Sequence, residues 1–269
     1  MTSAEGSRPA GPPGKRPSPA AAKPAPASRV EAGRAAPEPV AGGLSLLTAA
    51  AGAVLLTVLV ATLDETYEAV QAGDGLARVD QPLLGWMGAH RSPGLDAAIT
   101  FFTNIGGTTV LPVLVTLVVV GMAWGWRSWT PIALMAVAAA GSVAMTEAGK
   151  DLAGRARPPQ TLAVPPYESS PSFPSGHTLD STVIAIVLAY LVLLHVQSRT
   201  GRVVTVTLLM VYAVAMGMSR VYLGHHWFTD VVAGFVAGTA WAIVVILAHR
   251  LLLRIQHQRA QRSRGLPSG

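Results

Sequence analysis

Apolar residues along this chain come in long unbroken runs rather than at a period of two or of three to four. Such runs occupy 44–63, about 108–125, 131–149, about 177–196, 203–218 and about 230–248. A helix rises 1.5 Å per residue and the hydrocarbon core of a bilayer is about 30 Å thick, so about 20 apolar residues span it. The pattern predicts an all-α fold, a polytopic membrane helix bundle with six transmembrane helices.

The segments between the runs carry their own signals. An acidic stretch with Asp64, Glu65, Glu68, Asp74 and Asp80 follows the first run. Residues 82–89 suggest a short surface helix with Trp86 as an interfacial anchor. Residues 95–103 are amphipathic, and Asn104-Ile105-Gly106-Gly107 interrupts them. This predicts an interfacial helix leading into the second span; the alternative is one long tilted span. Pro131 suits the first turn of the third span. Residues 150–176 form a Pro- and Ser-rich loop. Ser175 and Gly176 stand where the fourth span would be N-capped, and Asp180 in its first turn suits the helix dipole.

Composition agrees with a membrane protein. Of 269 residues, 51% are hydrophobic and only 13% charged, against about 25% charged in soluble domains. Residues 1–43 are rich in Pro, Ala, Gly and Ser without a period, which reads as a disordered cytoplasmic tail. They carry no early apolar core, so no conventional cleaved signal peptide is expected there. The membrane domain is expected over 44–249 and a second, basic cytoplasmic tail over 250–269. The net charge of +6 sits mainly in the tails and short loops. It follows membrane topology, and no nucleic-acid partner is expected. The absence of cysteine excludes disulfides and thiolate metal sites. Six spans put both termini on one side, together with Arg127, Arg199 and Arg202. The positive-inside bias assigns that side to the cytoplasm and the acidic stretch to the outer face.

Ionisable residues at the ends of the spans complete the picture, because such residues are costly near a membrane and usually functional. Lys150-x6-Arg157-Pro158 follows the third run. Pro174-Ser175-Gly176-His177 opens the fourth. Ser219-Arg220-x5-His226-x3-Asp230 joins the fifth to the sixth. Arginine offers forked donors to phosphate oxygens and lysine a point charge. Amides around Ser175–His177 begin a helix and can face the same anion. No acidic cluster with metal-ligand spacing occurs in these stretches, so neither a metal nor a cofactor is expected.

The three stretches, in this order, resemble the signature of the type-2 phosphatidic acid phosphatase superfamily, which also includes the vanadium haloperoxidases. With the helix order counted, the resemblance covers roughly 44–249. It implies that His226 attacks phosphorus and forms a phosphohistidine, its spacing to Arg220 and Asp230 selecting it over His225. Asp230 would fix its tautomer. His177 would protonate the leaving oxygen and then activate water. Lys150, Arg157, Ser175, Gly176 and Arg220 would bind phosphate. The resemblance implies an integral-membrane lipid phosphatase, and the positive-inside bias puts its site at the outer face. Candidate substrates are phosphatidic acid, a polyprenyl diphosphate such as undecaprenyl diphosphate, or phosphatidylglycerol phosphate. The alternatives are a lipid phosphotransferase with the same site, and a transporter or scaffold with a degenerate one. Soluble haloperoxidases lack this succession of spans.

Membrane lipids are the expected surroundings; the Pro-rich pieces of 1–43 could bind a partner domain, but a solvated tail is the favoured reading and no protein partner is assigned. Outside the signature, Arg155 is expected to snorkel to headgroups. Glu147 is either a structural ion pair for Lys150 or a means of aiming it. Gly234 and Gly238 are expected to permit helix contact. His90, His195, His249 and His257 are given no role.

Overall fold

A computed structural model describes residues 46–107, 109–263 and 265. The tail expected over 1–43 lies outside the described residues. The described residues contain no strand. They form α1 (Leu46–Ala72), α2 (Asp80–Ala89), α3 (Pro93–Ile105), α4 (Val110–Trp126), α5 (Thr130–Ala153), α6 (Gly176–His195), α7 (Arg199–Tyr222) and α8 (Phe228–Ser263).

Helices α1, α5, α6, α7 and α8 are each long and apolar enough to cross a membrane. A sixth crossing is made if α3 and α4, bent by 49°, count as one span. The interruption at Gly106-Gly107 therefore produces a bent pair, and a straight tilted helix is not formed. Large apolar side chains such as Leu47, Leu117, Leu208 and Val211 are exposed around the outside, as lipid-facing residues must be and as those of a soluble domain rarely are.

Two helices run past the apolar segments that predict them. Helix α1 continues through Asp64, Glu65 and Glu68 and stops at Gly73, which takes φ +68°, the left-handed cap that glycine adopts without cost. Helix α8 continues through the basic segment to Ser263. Its Leu, Arg, Gln and Ala residues all favour helix, and no proline intervenes. The basic tail expected from residue 250 is thus largely a helical extension.

Helix α6 is the centre of the bundle and packs against α5, α7 and α8. Its residues Leu179, Val183, Val187 and Leu191, four apart and all fully buried, form one ridge. This ridge meets Ala237, Ala242 and Val245 of α8 and Met135 and Ala138 of α5. Gly234 and Gly238 let α6 and α8 approach closely. A Cβ at Gly234 would stand 2.9 Å from the Ser175 carbonyl oxygen, and one at Gly238 would stand 2.9 Å from that of Leu179. These contacts, at the expected small-residue positions, bring the start of α6 beside the start of α8.

The turn between α7 and α8 is equally constrained. Gly224 has φ +72°, and a Cβ there would come within 2.4 Å of the Leu162 carbonyl oxygen. Arg91 donates through Nε to the Tyr222 carbonyl at 2.8 Å and through Nη1 to that of Leu162 at 2.6 Å. A cation thereby caps the last turn of α7, where the helix dipole is negative.

Candidate active site

The loop 154–175 folds over the ends of α5, α6 and α8 and gathers the three signature stretches. Lys150 lies in the last turn of α5. Arg157 follows in the loop, His177 opens α6, Arg220 closes α7, and His226 and Asp230 flank the start of α8. A cavity of about 670 Å³ runs from this cluster between α4, α5 and α6. Lys150, Arg157, Glu168, Gly176, His177 and His226 line its polar end. Leu111, Val115, Val119, Met135 and Ile184 line the rest.

His226 is almost fully buried. Its Nδ1 lies 3.4 Å from Asp230 Oδ2, and its Nε2 lies 3.1 Å from Arg157 Nη1. An acceptor beside Nδ1 and a guanidinium donor beside Nε2 define the tautomer: the proton sits on Nδ1 and the lone pair on Nε2. Asp230 Oδ2 also accepts from the Trp227 amide at 2.9 Å and from the Ser172 hydroxyl. Burial lowers the His226 pKa below the ordinary histidine range, against the pull of Asp230. The imidazole is therefore a neutral base at neutral pH.

Its neighbour His225 faces another way. Its Nε2 donates to the Val164 carbonyl at 2.7 Å, and its Nδ1 has no hydrogen-bond partner. Burial, then Arg220, lowers its pKa to about 4. His225 thus ties the loop to the α7–α8 turn, and His226 alone of the pair lines the cavity.

Two arginines converge on Glu168, which the sequence did not single out. Arg157 Nη2 lies 2.7 Å from Glu168 Oε2, and Arg220 pairs with Oε1. Arg220 is 2% exposed and also donates from Nη1 to Thr103 Oγ1 at 3.0 Å. Arg157 further donates from Nε to the Ser170 carbonyl at 2.7 Å and from Nη1 to that of His225 at 2.7 Å. Burial alone would raise the Glu168 pKa; the charges around it, Arg220 foremost and Arg157 with it, pull it down to about 2. A fully charged carboxylate thus occupies donors that could hold a phosphate.

The remaining expected residues are placed less uniformly. Lys150 Nζ lies 3.5 Å from Glu147 Oε1, and Glu147 is mostly exposed. Ser175 is fully buried and does not line the cavity. It occupies the N-cap position of α6 without a side-chain cap bond. Its hydroxyl accepts from Thr178 Oγ1 at 2.9 Å, and its amide donates to the Asp230 carbonyl at 3.1 Å. The Ser175 amide is therefore committed to joining α6 to α8, contrary to the expectation that it faces an anion. Asp180 lies beyond the first turn of α6, on the cavity wall.

Arg155 does not snorkel. Its side chain is 15% exposed and lies 2.5 Å from Asp230 Oδ1 and 2.7 Å from Asp80 Oδ2. The pull of two buried carboxylates outweighs that of headgroups. Among the described residues, no group of three or more His, Asp or Glu side chains is arranged to hold a metal ion.

The sequence profile of the PAP2 superfamily matches residues 131–254. Phosphatidylglycerophosphatase B of Bacillus subtilis (strain 168) is 32% identical over 149 residues, which are 55% of this chain and 72% of that protein. The chain belongs to the PAP2 superfamily.

A putative undecaprenyl-diphosphatase of Escherichia coli (strain K12) is 35% identical to this PAP2 protein over 95 residues, 34% of this chain and 43% of that one. The crystal structure of the transmembrane PAP2-type phosphatidylglycerolphosphate phosphatase from Bacillus subtilis superposes with a TM-score of 0.64 at 27% identity. It covers 71% of this chain and 93% of that one. LpxE of Aquifex aeolicus shares the fold, with a TM-score of 0.51 at 24% identity over 62% of this chain and 94% of that one. The all-α, multi-pass membrane architecture is thus that of a membrane PAP2 protein.

Sequence reasoning missed Glu168, Ser172 and Asp80. The first two lie in a Pro- and Ser-rich loop, and Asp80 is one of several acids in a stretch without periodicity. No local signal separates them from solvated residues.

Proposed function

We propose that this PAP2 protein is a metal-independent membrane phosphatase that removes a phosphate from a lipid phosphate or diphosphate through a phosphohistidine. The carrying observation is His226, with Nδ1 3.4 Å from Asp230 Oδ2 and Nε2 3.1 Å from the Arg157 guanidinium, at the polar end of an apolar cavity. The names of the relatives, a phosphatidylglycerophosphatase and a putative undecaprenyl-diphosphatase, support a lipid substrate.

Phosphoryl transfer needs positioning and charge stabilisation more than covalent help from the protein. Lys150, Arg157 and Arg220 hold the phosphate oxygens. His226 Nε2 attacks phosphorus as the bond to the lipid oxygen breaks. The leaving oxygen takes a proton from His177, whose protonated form the negative phosphate favours. His177 then accepts a proton from water, which attacks the phosphohistidine, releasing inorganic phosphate and restoring His226. Asp230 stabilises the positive charge that develops on the imidazole in the first step. The apolar remainder of the cavity takes the lipid chain; its volume is within the range of about 300–1,000 Å³ usual for ligand sites.

The proposed reading puts the active site at the outer face. Arg127, Arg199, Arg202 and the basic end of α8 lie at the end of the bundle away from it, in keeping with a cytoplasmic bias of basic residues.

The test uses the full chain in detergent with phosphatidic acid, phosphatidylglycerol phosphate and undecaprenyl diphosphate, each with and without chelator. Phosphate release that survives chelation is expected from at least one lipid. No release from any of them would favour the transporter or scaffold reading, and loss on chelation with recovery in magnesium would overturn the source of charge.

A further inference from the structure

Asp80 stands outside the segment matched by the family, on the first residue of α2. It is nevertheless 4% exposed. Its Oδ1 accepts from the Thr229 amide at 2.9 Å and its Oδ2 from the Thr229 hydroxyl at 2.7 Å. The same Oδ2 lies 2.7 Å from Arg155 Nη2. Arg155 Nη1 in turn donates to Thr229 Oγ1 at 2.7 Å and to Asp230 Oδ1 at 2.5 Å. One guanidinium therefore bridges two buried carboxylates, and Thr229 is held by both charges.

We infer that Asp80 and Arg155 are a positioning pair for the His226–Asp230 dyad, with Arg155 gripping Asp230 Oδ1 and Asp80 balancing the charge of Arg155. The inference rests on the reading of His226 as the nucleophile.

The geometry explains why both members are present. Asp230 has to present Oδ2 to His226 and remain an effective anion toward it. Arg155 holds the opposite oxygen and so fixes the carboxylate plane. An unbalanced guanidinium at that distance would also draw the carboxylate's negative potential away from His226. Asp80 supplies the opposing charge on the other arm of the fork and fixes the arm's direction, since its two oxygens are tied to the backbone and side chain of Thr229. Removing one member of such a buried set leaves the others uncompensated. Neither Asp80 nor Arg155 lines the cavity, so their action passes through Asp230. Outer groups that orient a catalytic ligand in this way act through its orientation and basicity.

Other charges face the dyad and set the background. His226 is faced by Arg157 and Glu168 from the loop, Arg220 from α7, His177 from α6 and its neighbour His225. Asp230 is faced by Arg155, Arg157 and His226. None of these groups is altered by a substitution at Asp80, so a change in the titration of His226 reports the pair.

The experiment compares Asp80→Asn, Arg155→Gln and the double variant in the full chain, using the best lipid phosphate substrate found in the panel. kcat, KM and the acid limb of kcat/KM against pH are measured. Each single variant should lower kcat by roughly ten- to a hundredfold, the usual scale for such outer groups, with KM within about twofold of the parent. The acid limb should move in opposite directions. Asp80→Asn leaves excess positive charge, keeps His226 neutral to lower pH and moves the limb down. Arg155→Gln leaves excess negative charge and moves it up. The double variant, which buries no uncompensated charge, should place the limb between the two and recover part of the kcat lost in Asp80→Asn. Opposite shifts cannot arise from a general loss of stability, and the double variant supplies a reading if a single one fails to fold. Limbs that stay in place, or shift in the same direction, would overturn the positioning role. Full activity of His226→Ala would instead overturn the proposed nucleophile.

Discussion

Glu168, at the polar end of the cavity, forms an ion pair with Arg220, a buried guanidinium behind it at the end of α7 that does not itself line the cavity. The second oxygen of Glu168 lies 2.7 Å from Arg157 Nη2. The carboxylate thus holds the forks of both arginines that the proposed mechanism needs for phosphate, and an incoming anion has to displace it.

Glu168→Gln removes the competing charge and keeps the shape. A hydrogen bond to a charged group contributes about 1.5–3 kcal/mol, and about 1.4 kcal/mol is a factor of ten. The inhibition constant of orthovanadate should therefore fall by about tenfold or more. An unchanged or raised constant in steady-state inhibition would show that Glu168 does not compete for the anion's place.

His225 makes the fold sensitive to acid. Its pKa falls from 6.5 to about 4 on folding. Between those values the unfolded chain binds a proton that the folded chain refuses, so stability declines as pH falls from 6.5 to about 4 and levels off below. The Glu168 pKa is depressed to about 2, so its contribution is present above its ordinary 4.5 and lost as pH falls through about 2. Thermal melting in detergent should drop between pH 7 and pH 4, and His225→Asn should flatten that drop. Equal slopes in the two proteins would argue against the buried neutral state of His225.

The two cavity histidines should separate by leaving group. His226→Ala should abolish turnover of every substrate. His177→Ala should cut lipid phosphate hydrolysis by about 10²–10⁴-fold, the usual worth of general acid help. It should spare the burst with an activated aryl phosphate, whose leaving group needs no proton. Rapid-quench measurement isolates that step. Equal burst losses on both substrates, with His226→Ala still active, would reverse the two roles.

Topology is open to a labelling test because the chain has no cysteine. Ser169 and Ser263 are both exposed, at opposite ends of the bundle. Ser169→Cys should react with an impermeant thiol reagent in intact cells, and Ser263→Cys should react only after lysis. The reverse pattern would invert the orientation.

Gly238→Leu tests the seam between α6 and α8. Its Cβ would meet the Leu179 carbonyl oxygen at 2.9 Å, a backbone atom that cannot swing aside, whereas a Cβ at Gly121 meets nothing within 4 Å. Overpacking costs about 1–3 kcal/mol, and each kcal/mol lowers Tm by roughly 2–4 °C in a chain of this size. Gly238→Leu should melt several degrees lower and Gly121→Leu near the parent. Equal melting of the two would mean that the seam tolerates separation.

The sequence alone determined the spans, because runs of about 20 apolar residues admit few structures in a bilayer other than helices. The helix order also brings Lys150, Arg157, His177, Arg220, His226 and Asp230 to one end of the bundle, whereas only the spacing of the resembled signature distinguishes His226 from His225. Only the tertiary structure decided what surrounds them. Arg155 reads locally as a snorkelling side chain, but its partners Asp80 and Asp230 lie 75 residues away in each direction. Glu168 reads as a loop acid until α7 brings Arg220 beneath it, 52 residues later in the chain. Helix α1 passes the end of its apolar run because intrinsic helix preference and a glycine cap set its length, while hydropathy sets only the part in contact with lipid. Local pattern fixes what depends on solvent or lipid, and pairing between distant charges depends on a packing that no local window contains.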